Sequence, residues 1–387
     1  MTTDVVIIGA GPVGLCMAKS LANAGLKVIV IEQQPTSALA SPAFDGREIA
    51  LTHDSALLMQ KLGVWDNVHP ENIAPLRDAR IFNSHSPASL NFDHRDTTQN
   101  ELGFLISNHL IRKAAFDSVQ LSSAITLKTE TKISAIQTDT HQAKVILSNG
   151  EILHARLIIA ADSRFSESRR TMGIAANIHD FGKAMMVCVM EHTIPHEHTA
   201  WEWFDDEQTL ALLPMSGMRS SVVITLQPNE INHLMQLATE DFNHALSSRF
   251  KNRLGAMYLA STRHAYPLVT VYAKRFIAQR FALIGDAAVG MHPVTAHGFN
   301  FGLKSIQTLT SEINTALAAG QDIASQSLLI RYEKTHRQQT RPLFIATHAI
   351  AKLYSSNHLP AKILRTGALH IANHVKPFKR AVAGLLA

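Results

Sequence analysis

The chain has few cysteines, few charges and few aromatic side chains, and these shortages exclude whole classes of protein. Cys16 and Cys188 are the only cysteines in 387 residues, which excludes a disulfide-stapled scaffold and a cysteine-rich zinc site. Charged residues make up 17% and aromatic residues 6%, but 46% of the chain is hydrophobic, so it is not a disordered polymer. The chain is long enough for two or more domains.

Two further absences concern location and partners. No apolar run approaches the roughly 20 residues needed to span a bilayer. The first residues already belong to a predicted strand, so we expect no signal peptide and a cytoplasmic protein. The net charge of +5 is explained by a mildly basic surface, and we expect no nucleic-acid partner.

The amino terminus carries a glycine-rich motif between a predicted strand and a predicted helix. Residues 4–8 are β-branched apart from Asp4, and Gly9, Gly11 and Gly14 form GxGxxG immediately after them. In such a motif the first glycine permits the turn, the second admits a pyrophosphate and the third lets the helix pack closely. Pro12 opens the helix, which we expect to end at Gly25.

A second predicted strand, residues 27–31, delivers Glu32, and an acid at this place binds the ribose hydroxyls of an adenosine. These features predict an adenine dinucleotide and leave NAD and FAD open. Two later segments bear on that choice. One carries Arg47 before an amphipathic helix, and the other is a buried strand that ends in Asp162.

A late stretch, Phe281 to Lys304, is predicted to hold an extended polar cofactor. Its apolar start predicts a buried parallel strand, which Gly285-Asp286 ends. His292-Pro293 breaks the chain again, because proline disfavours helix in the residue before it. The Asp286 carboxylate can accept hydrogen bonds from sugar hydroxyls. A helix that begins near Gly298 offers backbone amides to negative charge and is expected to continue to about residue 319.

These motifs together resemble the class A flavoprotein monooxygenases, aromatic hydroxylases built on the para-hydroxybenzoate hydroxylase fold. The similarity covers nearly the whole chain and is greatest to the ubiquinone-biosynthesis hydroxylases, with their demethoxyubiquinone hydroxylase members as one candidate. It implies an α/β fold with a Rossmann-like FAD-binding domain, a sheet-based substrate domain and a helical carboxyl terminus. The cofactor-binding residues expected from the motifs and the resemblance are Gly9, Gly11, Pro12, Gly14, Glu32, Arg47, Arg112, Asp162, Gly285, Asp286, Gly298, Phe299 and Asn300.

The resemblance also implies individual roles. Arg47 would contact the FAD diphosphate, Asp162 would brace the dinucleotide fold and help to bind NAD(P)H, and Asp286 would hold the ribityl chain. The chain departs from the family pattern at Ser163, where the family has glycine, and at Ala296-His297, where the ubiquinone branch has Gly-Gln. His297 either changes the polarity beside the flavin or points to solvent.

The implied division of the chain follows its changes of pattern. A discontinuous FAD-binding domain is expected from residues 1–80, 100–175 and 270–330, a substrate domain from residues 81–99 and 176–269, and a helical region from residues 331–387. Within the substrate domain, residues 229–250 predict one helix between strands. Asn108 is interpreted as a helix N-cap.

An apolar substrate wall is expected in the second domain. The predicted wall residues are Leu212, Pro214, Met215 and Tyr266, with Trp201 and Trp203 as further candidates; ordinary core packing is the alternative for each. The basic, apolar tail after about residue 359 either packs on the body or contacts anionic lipid or a partner of a biosynthetic complex.

The resemblance implies ring hydroxylation with O₂ and NAD(P)H through a flavin C4a-hydroperoxide, and no metal is expected. The cofactor carries the chemistry, the helix start near Gly298 stabilises negative charge, and Pro293 packs over the flavin. His292 and His297 are the candidates for a general base. The favoured substrate is a prenylated benzoquinol or phenol. The alternatives are a soluble phenol, a reductase-type reaction of the same fold, and a non-catalytic flavoprotein of a biosynthetic complex.

Overall fold

The computed structural model describes residues 2–83, 89–205, 208–292 and 298–355. The helices of this part are α1 (Pro12–Asn23), α2 (Thr36–Ala40), α3 (His53–Lys61), α4 (Asn108–Gln120), α5 (Glu167–Thr171), α6 (Pro228–Gln236), α7 (Thr239–Arg249), α8 (Gly298–Ala318) and α9 (Gln326–Ser355).

The strands are β1 (Val5–Ile8), β2 (Val28–Ile31), β3 (Glu48–Leu51), β4 (Ala74–Leu76), β5 (Asp78–Asn83), β6 (Ser89–Asp93), β7 (Gly103–Ser107), β8 (Ile125–Lys128), β9 (Ile133–Thr138), β10 (Ala143–Leu147), β11 (Ile152–Ala155), β12 (Leu157–Ala160), β13 (Ala176–His192), β14 (Thr199–Phe204), β15 (Thr209–Pro214), β16 (Arg219–Leu226), β17 (Met257–Leu259), β18 (His264–Ala273), β19 (Ile277–Ala278), β20 (Phe281–Leu283) and β21 (Val289–Gly290).

A six-stranded sheet in the order β19-β20-β12-β1-β2-β8 organises the cofactor end of the molecule. The pairs β20-β12, β12-β1, β1-β2 and β2-β8 are parallel. Every residue of β1, β2, β12 and β20 is buried, as expected for parallel strands that are covered on both faces. The strands that precede Gly9, Asp162 and Gly285 are therefore neighbours, although more than 100 residues separate each motif from the next.

A nine-stranded, mainly antiparallel sheet forms the second layer, in the order β21-β18-β13-β16-β15-β14-β5-β6, with β17 paired to β13. The β5-β6 hairpin reaches this sheet from the cofactor end and pairs with β14. The observed architecture confirms the predicted combination of a dinucleotide-binding fold with a second sheet.

The two faces of the large sheet meet different partners. One face contributes Met186, Leu212 and Val222 to a core with Leu234 of α6 and Phe242 of α7. The other face turns toward the cofactor end. There, Ile81 and Leu213 pack against Leu76 and Leu105 of a small sheet in the order β3-β7-β4.

Helix bounds differ from the prediction at two places. The helix predicted over residues 229–250 is divided into α6 and α7, because Leu237 and Ala238 take extended backbone conformations with ψ of 142° and 152°. The last described helix begins at Gln326 instead of residue 331. No helix of the described residues combines the length and the apolar character that a membrane span requires.

Candidate functional site

The first glycine-rich turn forms a cradle at the carboxyl end of β1. Gly9 has φ of +102°, and a Cβ on Gly14 would lie 2.0 Å from the Gly9 carbonyl oxygen. By contrast, no described atom lies within 4 Å of the place where a Cβ on Gly11 would stand. Gly11 also precedes α1, and no side chain of the described residues caps that helix start. The open amides at the start of α1 suit the diphosphate of a dinucleotide.

Glu32 lies beside this cradle at the end of β2. Its Oε2 accepts a hydrogen bond from the Ala10 backbone N–H at 2.8 Å, and its Oε1 accepts from the Gln34 backbone N–H at 2.9 Å. These two bonds fix the carboxylate in place. Each oxygen keeps a lone pair that can accept from a ribose hydroxyl.

The late motif reaches the same place through close contacts at Val13. A Cβ on Gly285, which has φ of +58°, would lie 3.1 Å from Val13 Cγ1, and a Cβ on Gly302 would lie 2.5 Å from Val13 Cγ2. The start of α8 therefore packs directly on the start of α1. A Cβ on Gly298 would lie 3.9 Å from Asp286 Oδ1, so the Asp286 carboxylate lies beside the first residue of α8.

Arg164 holds the Asp286 carboxylate. Its Nη2 and Nε donate to Asp286 Oδ2 at 3.0 and 3.3 Å, and its Nη1 donates to the Val269 carbonyl oxygen at 2.9 Å. Asp286 Oδ1 takes no part in this pair. Arg164 is not among the residues predicted for the site, and its only signal in the sequence is its place two residues after Asp162.

Asp162 organises the turn that carries Arg164. Its Oδ1 accepts from Ser166 Oγ at 2.5 Å and its Oδ2 from the Ser168 N–H at 3.0 Å, so the carboxylate anchors the start of α5. This geometry supports the predicted bracing role. Ser163, which replaces the family's glycine, has φ of +73° and so keeps the left-handed conformation that glycine adopts without strain.

Arg47 lies on the loop between the cofactor end and the large sheet. It donates two hydrogen bonds to Asp45 Oδ2, at 2.6 and 3.1 Å, and lies 5.5 Å from the ring centre of Tyr266. Arg112 of α4 is half-buried, and its side chain forms no hydrogen bond or ion pair with the described residues. The N-cap role expected for Asn108 is wrong, because Ser107 holds the cap position and Asn108 Nδ2 donates to Asp45 at 2.7 Å.

The side chain of Asn300 forms hydrogen bonds with the protein backbone. Its Oδ1 accepts from the Thr52 N–H at 3.2 Å, and its Nδ2 donates to the Ala50 carbonyl oxygen at 2.8 Å. Phe299 packs against the main core. The side chain of Asn300 thus ties the first turn of α8 to the end of β3.

His292 is the described member of the predicted catalytic group. Its ring packs edge-on against Phe181 at 4.8 Å, and burial lowers the pKa of His292 to about 4, with the charges of His348 and Arg164 acting in the same direction. The imidazole is therefore neutral at physiological pH. Pro293 and His297 lie outside the described residues, and their roles stay predictions.

The predicted wall residues do not lie together. Tyr266 is on the face toward the cofactor end, where its hydroxyl donates to the Asp45 carbonyl oxygen at 2.8 Å. Leu212 and Trp201 are in the core with α6 and α7, so the structure removes them from the wall. Side chains alternate along a strand, and Ala211 and Leu213 face the other way. Pro214 is buried, and the carbonyl of Met215 accepts from His196 Nε2 at 2.8 Å.

The comparison with known proteins agrees with this geometry. The family model described as an FAD binding domain matches residues 2–344. Ubiquinone hydroxylase UbiM of Neisseria meningitidis is 45% identical over 384 residues, which cover 98% of this chain and 83% of that protein. The chain belongs to the FAD-dependent ubiquinone hydroxylase family. This result confirms the resemblance drawn from the motifs.

Two further comparisons place this hydroxylase within the family and the fold. Ubiquinone hydroxylase UbiL of Rhodospirillum rubrum is 32% identical over 97% of this chain and 87% of that protein. The crystal structure of PqsL, a probable FAD-dependent monooxygenase from Pseudomonas aeruginosa, superposes with a TM-score of 0.78 at 19% identity. That superposition covers 92% of this chain and 98% of PqsL and shows the common fold.

The residues of the hydroxylase fit FAD. The carboxylates of Glu32 and Asp286 could each accept hydrogen bonds from sugar hydroxyls of a dinucleotide. Between them lies an open, uncapped helix start at Gly11. Arg47 and Arg112 add positive charge near the loop that joins the two sheets. When bound, FAD supplies the redox chemistry and the activation of oxygen. The protein supplies binding and orientation, and burial keeps the imidazole of His292 uncharged.

Proposed function

We propose that this hydroxylase adds oxygen to the aromatic ring of a prenylated benzoquinol or phenol intermediate of ubiquinone biosynthesis. One observation carries the proposal: the 45% identity with a protein named ubiquinone hydroxylase extends over 98% of the chain. NAD(P)H is the proposed electron donor. The partly accessible face of the large sheet beside Tyr266 supports an apolar ring as the substrate.

The residues of the site have distinct proposed tasks. Gly11 and the start of α1 bind the diphosphate, and Arg47 and Arg112 balance its charge. Glu32 holds the ribose, while Arg164 keeps Asp286 turned toward the ribityl chain. The first amides of α8 stabilise negative charge on the flavin ring. Tyr266 joins the substrate sheet to the cofactor loop and fixes the distance between the two.

The decisive experiment follows oxygen from O₂ into a product. Purified, FAD-loaded protein is given NAD(P)H, ¹⁸O₂ and a short-chain prenylated benzoquinol, and the product is analysed by mass spectrometry. One ¹⁸O atom on the ring supports the proposal. Labelling of a water-soluble phenol alone, or reduction of an isoprenoid without labelling, would assign one of the two other reactions of this fold.

The remaining alternative, a non-catalytic flavoprotein of a biosynthetic complex, requires a test in cells. Asp286→Ala removes the partner of Arg164 and a proposed FAD contact, and we expect it not to restore ubiquinone in a strain that lacks the gene. Wild-type protein and the exposed-site control Glu240→Ala restore it. Normal ubiquinone with an Asp286→Ala protein that is folded but free of FAD would favour the non-catalytic role.

Contact with a membrane is a separate part of the proposal. A prenylated substrate partitions into the bilayer, and residues 356–387, which lie outside the described part, contain five Lys or Arg and no Asp or Glu. We propose that this tail binds anionic lipid or a complex at the inner membrane. Flotation with vesicles that contain phosphatidylglycerol should retain the full chain and lose a chain that ends at residue 355; equal retention would contradict the tail's role.

A further inference from the structure

Glu202 of β14 projects from the face of the large sheet that looks toward the cofactor end. It is paired in register with Ala211 of β15 on one side and with Ile81 of β5 on the other. Its chain neighbours Trp201 and Trp203 belong to the core on the opposite face, with α6 and α7. The alternation of side chains along a strand therefore places the carboxyl group on the face of the large sheet that packs against the small β3-β7-β4 sheet.

The side chains around Glu202 are partly accessible. Ile81, Ala211 and Val223 continue the same row across the sheet, and each is only partly buried. On the opposite face, Leu212 and Val222 are at most 1% exposed. Ala211, the register partner of Glu202, presents only a methyl group on this face.

The carboxyl group of Glu202 has no hydrogen-bond or ion-pair partner among the described residues. Burial raises the pKa of Glu202 to about 8. On the same side stand Glu48 of β3, whose carboxylate accepts a hydrogen bond from Ser107, and His264 of β18. Arg80 of β5 pairs in register with Trp201 and therefore faces the helices.

The Glu202 side chain is half-buried and has no protein partner among the described residues, and an apolar residue would avoid the cost of partly removing a carboxyl group from water. A ligand oxygen would offset the cost by supplying the missing hydrogen bond. The apolar neighbours Ile81, Ala211 and Val223 suit the faces and edges of a ring. The site therefore combines one polar group with apolar walls, as sites for small aromatic ligands do.

We propose that Glu202 forms a hydrogen bond with a ring oxygen of the phenol or quinol substrate. This bond would orient the ring between the large sheet and the small β3-β7-β4 sheet. This inference rests on the proposed function and deepens it. Glu202 acts here as a binding and positioning residue, and no proton transfer is assigned to it. The group recognised is the oxygen on the ring, whether hydroxyl or carbonyl, since a protonated carboxyl both donates and accepts.

The test compares two probes that differ by one oxygen, 4-butylphenol and butylbenzene, on FAD-loaded protein by equilibrium dialysis. We expect the wild type to bind the phenol about 10-fold or more tighter than the hydrocarbon. In Glu202→Leu the two affinities should come within about twofold of each other, since the hydrogen bond is lost. Glu202→Gln should keep most of the preference because its amide also donates and accepts.

Matched controls separate this effect from damage to the protein. Glu191→Leu changes an exposed carboxylate of the same sheet and should keep the wild-type preference. The ratio of flavin to protein should be equal in all variants. Ala211→Leu adds a larger side chain beside Glu202 and should weaken the binding of both probes at least about 10-fold. This variant tests the location of the site even if Glu202→Leu folds poorly.

Two results would overturn the inference: a phenol preference that survives in Glu202→Leu, or a wild type that binds the two probes equally. Either result leaves the proposed function intact if ¹⁸O still enters a quinol ring. Conversely, the proposed function fails if no quinol is labelled, even where Glu202 recognises a phenol. The two proposals are thus tested by different measurements.

Discussion

Individual backbone conformations carry information that side-chain identity does not. Ser163 occupies a left-handed conformation with φ of +73°, at a position where members of the family usually have glycine. A non-glycine residue there is strained by about 1–2 kcal/mol, because its Cβ crowds the following carbonyl. The turn between Asp162 and Arg164 nevertheless keeps its shape, because the Asp162 carboxylate is hydrogen-bonded to Ser166 and Ser168.

Replacing Ser163 with glycine should therefore stabilise the protein. We expect Ser163→Gly to raise the free energy of unfolding by roughly 0.5–1 kcal/mol, since relief of strain exceeds the added entropy of the unfolded chain. Ser163→Val should lower it by about 1 kcal/mol or more. Denaturant unfolding measures both. A Ser163→Gly protein less stable than the wild type would show that the hydroxyl matters more than the strain.

Glu202 should make stability depend on pH. Its pKa in the folded protein, about 8, is above its ordinary value of 4.5, so the folded state holds a proton that the unfolded state has released between these values. Stability from this group is present below pH 4.5 and is lost toward pH 8, by up to about 1.4 kcal/mol per unit.

Glu202→Leu should remove this dependence. The variant should be more stable than the wild type at pH 8, and the difference should shrink as the pH approaches 5. Unfolding in urea at pH 5, 6.5 and 8, without substrate, measures the change, with Glu191→Leu as the control. A difference that stays constant with pH would show that Glu202 titrates normally in the folded protein.

At the scale of elements, we expect the contact of α8 with α1 to determine whether the cofactor site is assembled. Two glycines, Gly285 and Gly302, leave room for Val13, and a Cβ on Gly302 would lie only 2.5 Å from Val13 Cγ2. A side chain that becomes larger at such a contact displaces the neighbouring helix, because a closely packed interior has few voids to accommodate it. The start of α8, which we propose to face the flavin, is thus positioned by its contact with α1.

A pair of substitutions tests this coupling. Gly302→Ala should weaken FAD binding about 10-fold or more, since the added methyl group pushes α8 away from α1. Adding Val13→Ala removes the obstructing methyl groups and should restore most of the affinity. Titration of apoprotein with FAD, followed by flavin fluorescence, measures both. Equal loss in the single and double variants would show that the contact does not control the site.

The division of residues 229–250 into α6 and α7 is also decided at this scale. The apolar spacing continues through Leu237, but Leu237 and Ala238 are extended. Both helices then place buried residues, among them Leu234 and Phe242, against the same face of the large sheet. Periodicity predicts which residues are buried, whereas the angle between two helices depends on the surface that they cover.

At the scale of the molecule, the proposed FAD-binding residues come from segments that are far apart in the chain, so FAD binding should stabilise the whole fold. A ligand at about 100 times its dissociation constant adds about 2.7 kcal/mol to the free energy of unfolding, which raises the melting temperature of a large domain by several degrees. We expect this shift when FAD is added to the wild-type apoprotein.

Asp286→Asn should reduce the shift. The amide keeps the size of the side chain but loses the charge that pairs with Arg164 at 3.0 Å. Asp322→Asn also breaks an arginine pair, with Arg280 at 2.6 Å, but lies outside the cradle and should keep the full shift. Thermal scans with and without FAD make the comparison. The same shift in Asp286→Asn and wild type would contradict the role of Asp286.

The sequence by itself determined the local chemistry of the cofactor site. GxGxxG, Glu32 and the Gly285-Asp286 turn each follow an apolar strand, and strand, turn and helix starts are set by neighbouring residues in the chain. The carboxyl ends of neighbouring parallel strands lie on one edge, so the assembly of these motifs was predictable once the fold was inferred. Family membership was accessible for the same reason.

The tertiary structure alone decided the contacts between distant residues and the direction of each strand face. Arg164 and Asp286 are 122 residues apart, and Asn108 reaches Asp45 across 63. Both faces of β14 and β15 are apolar enough for a core, so the sequence could not show that α6 and α7 cover Leu212 while Glu202 faces the cofactor end. The physical reason is that side-chain alternation fixes two faces, and only packing determines what each face meets.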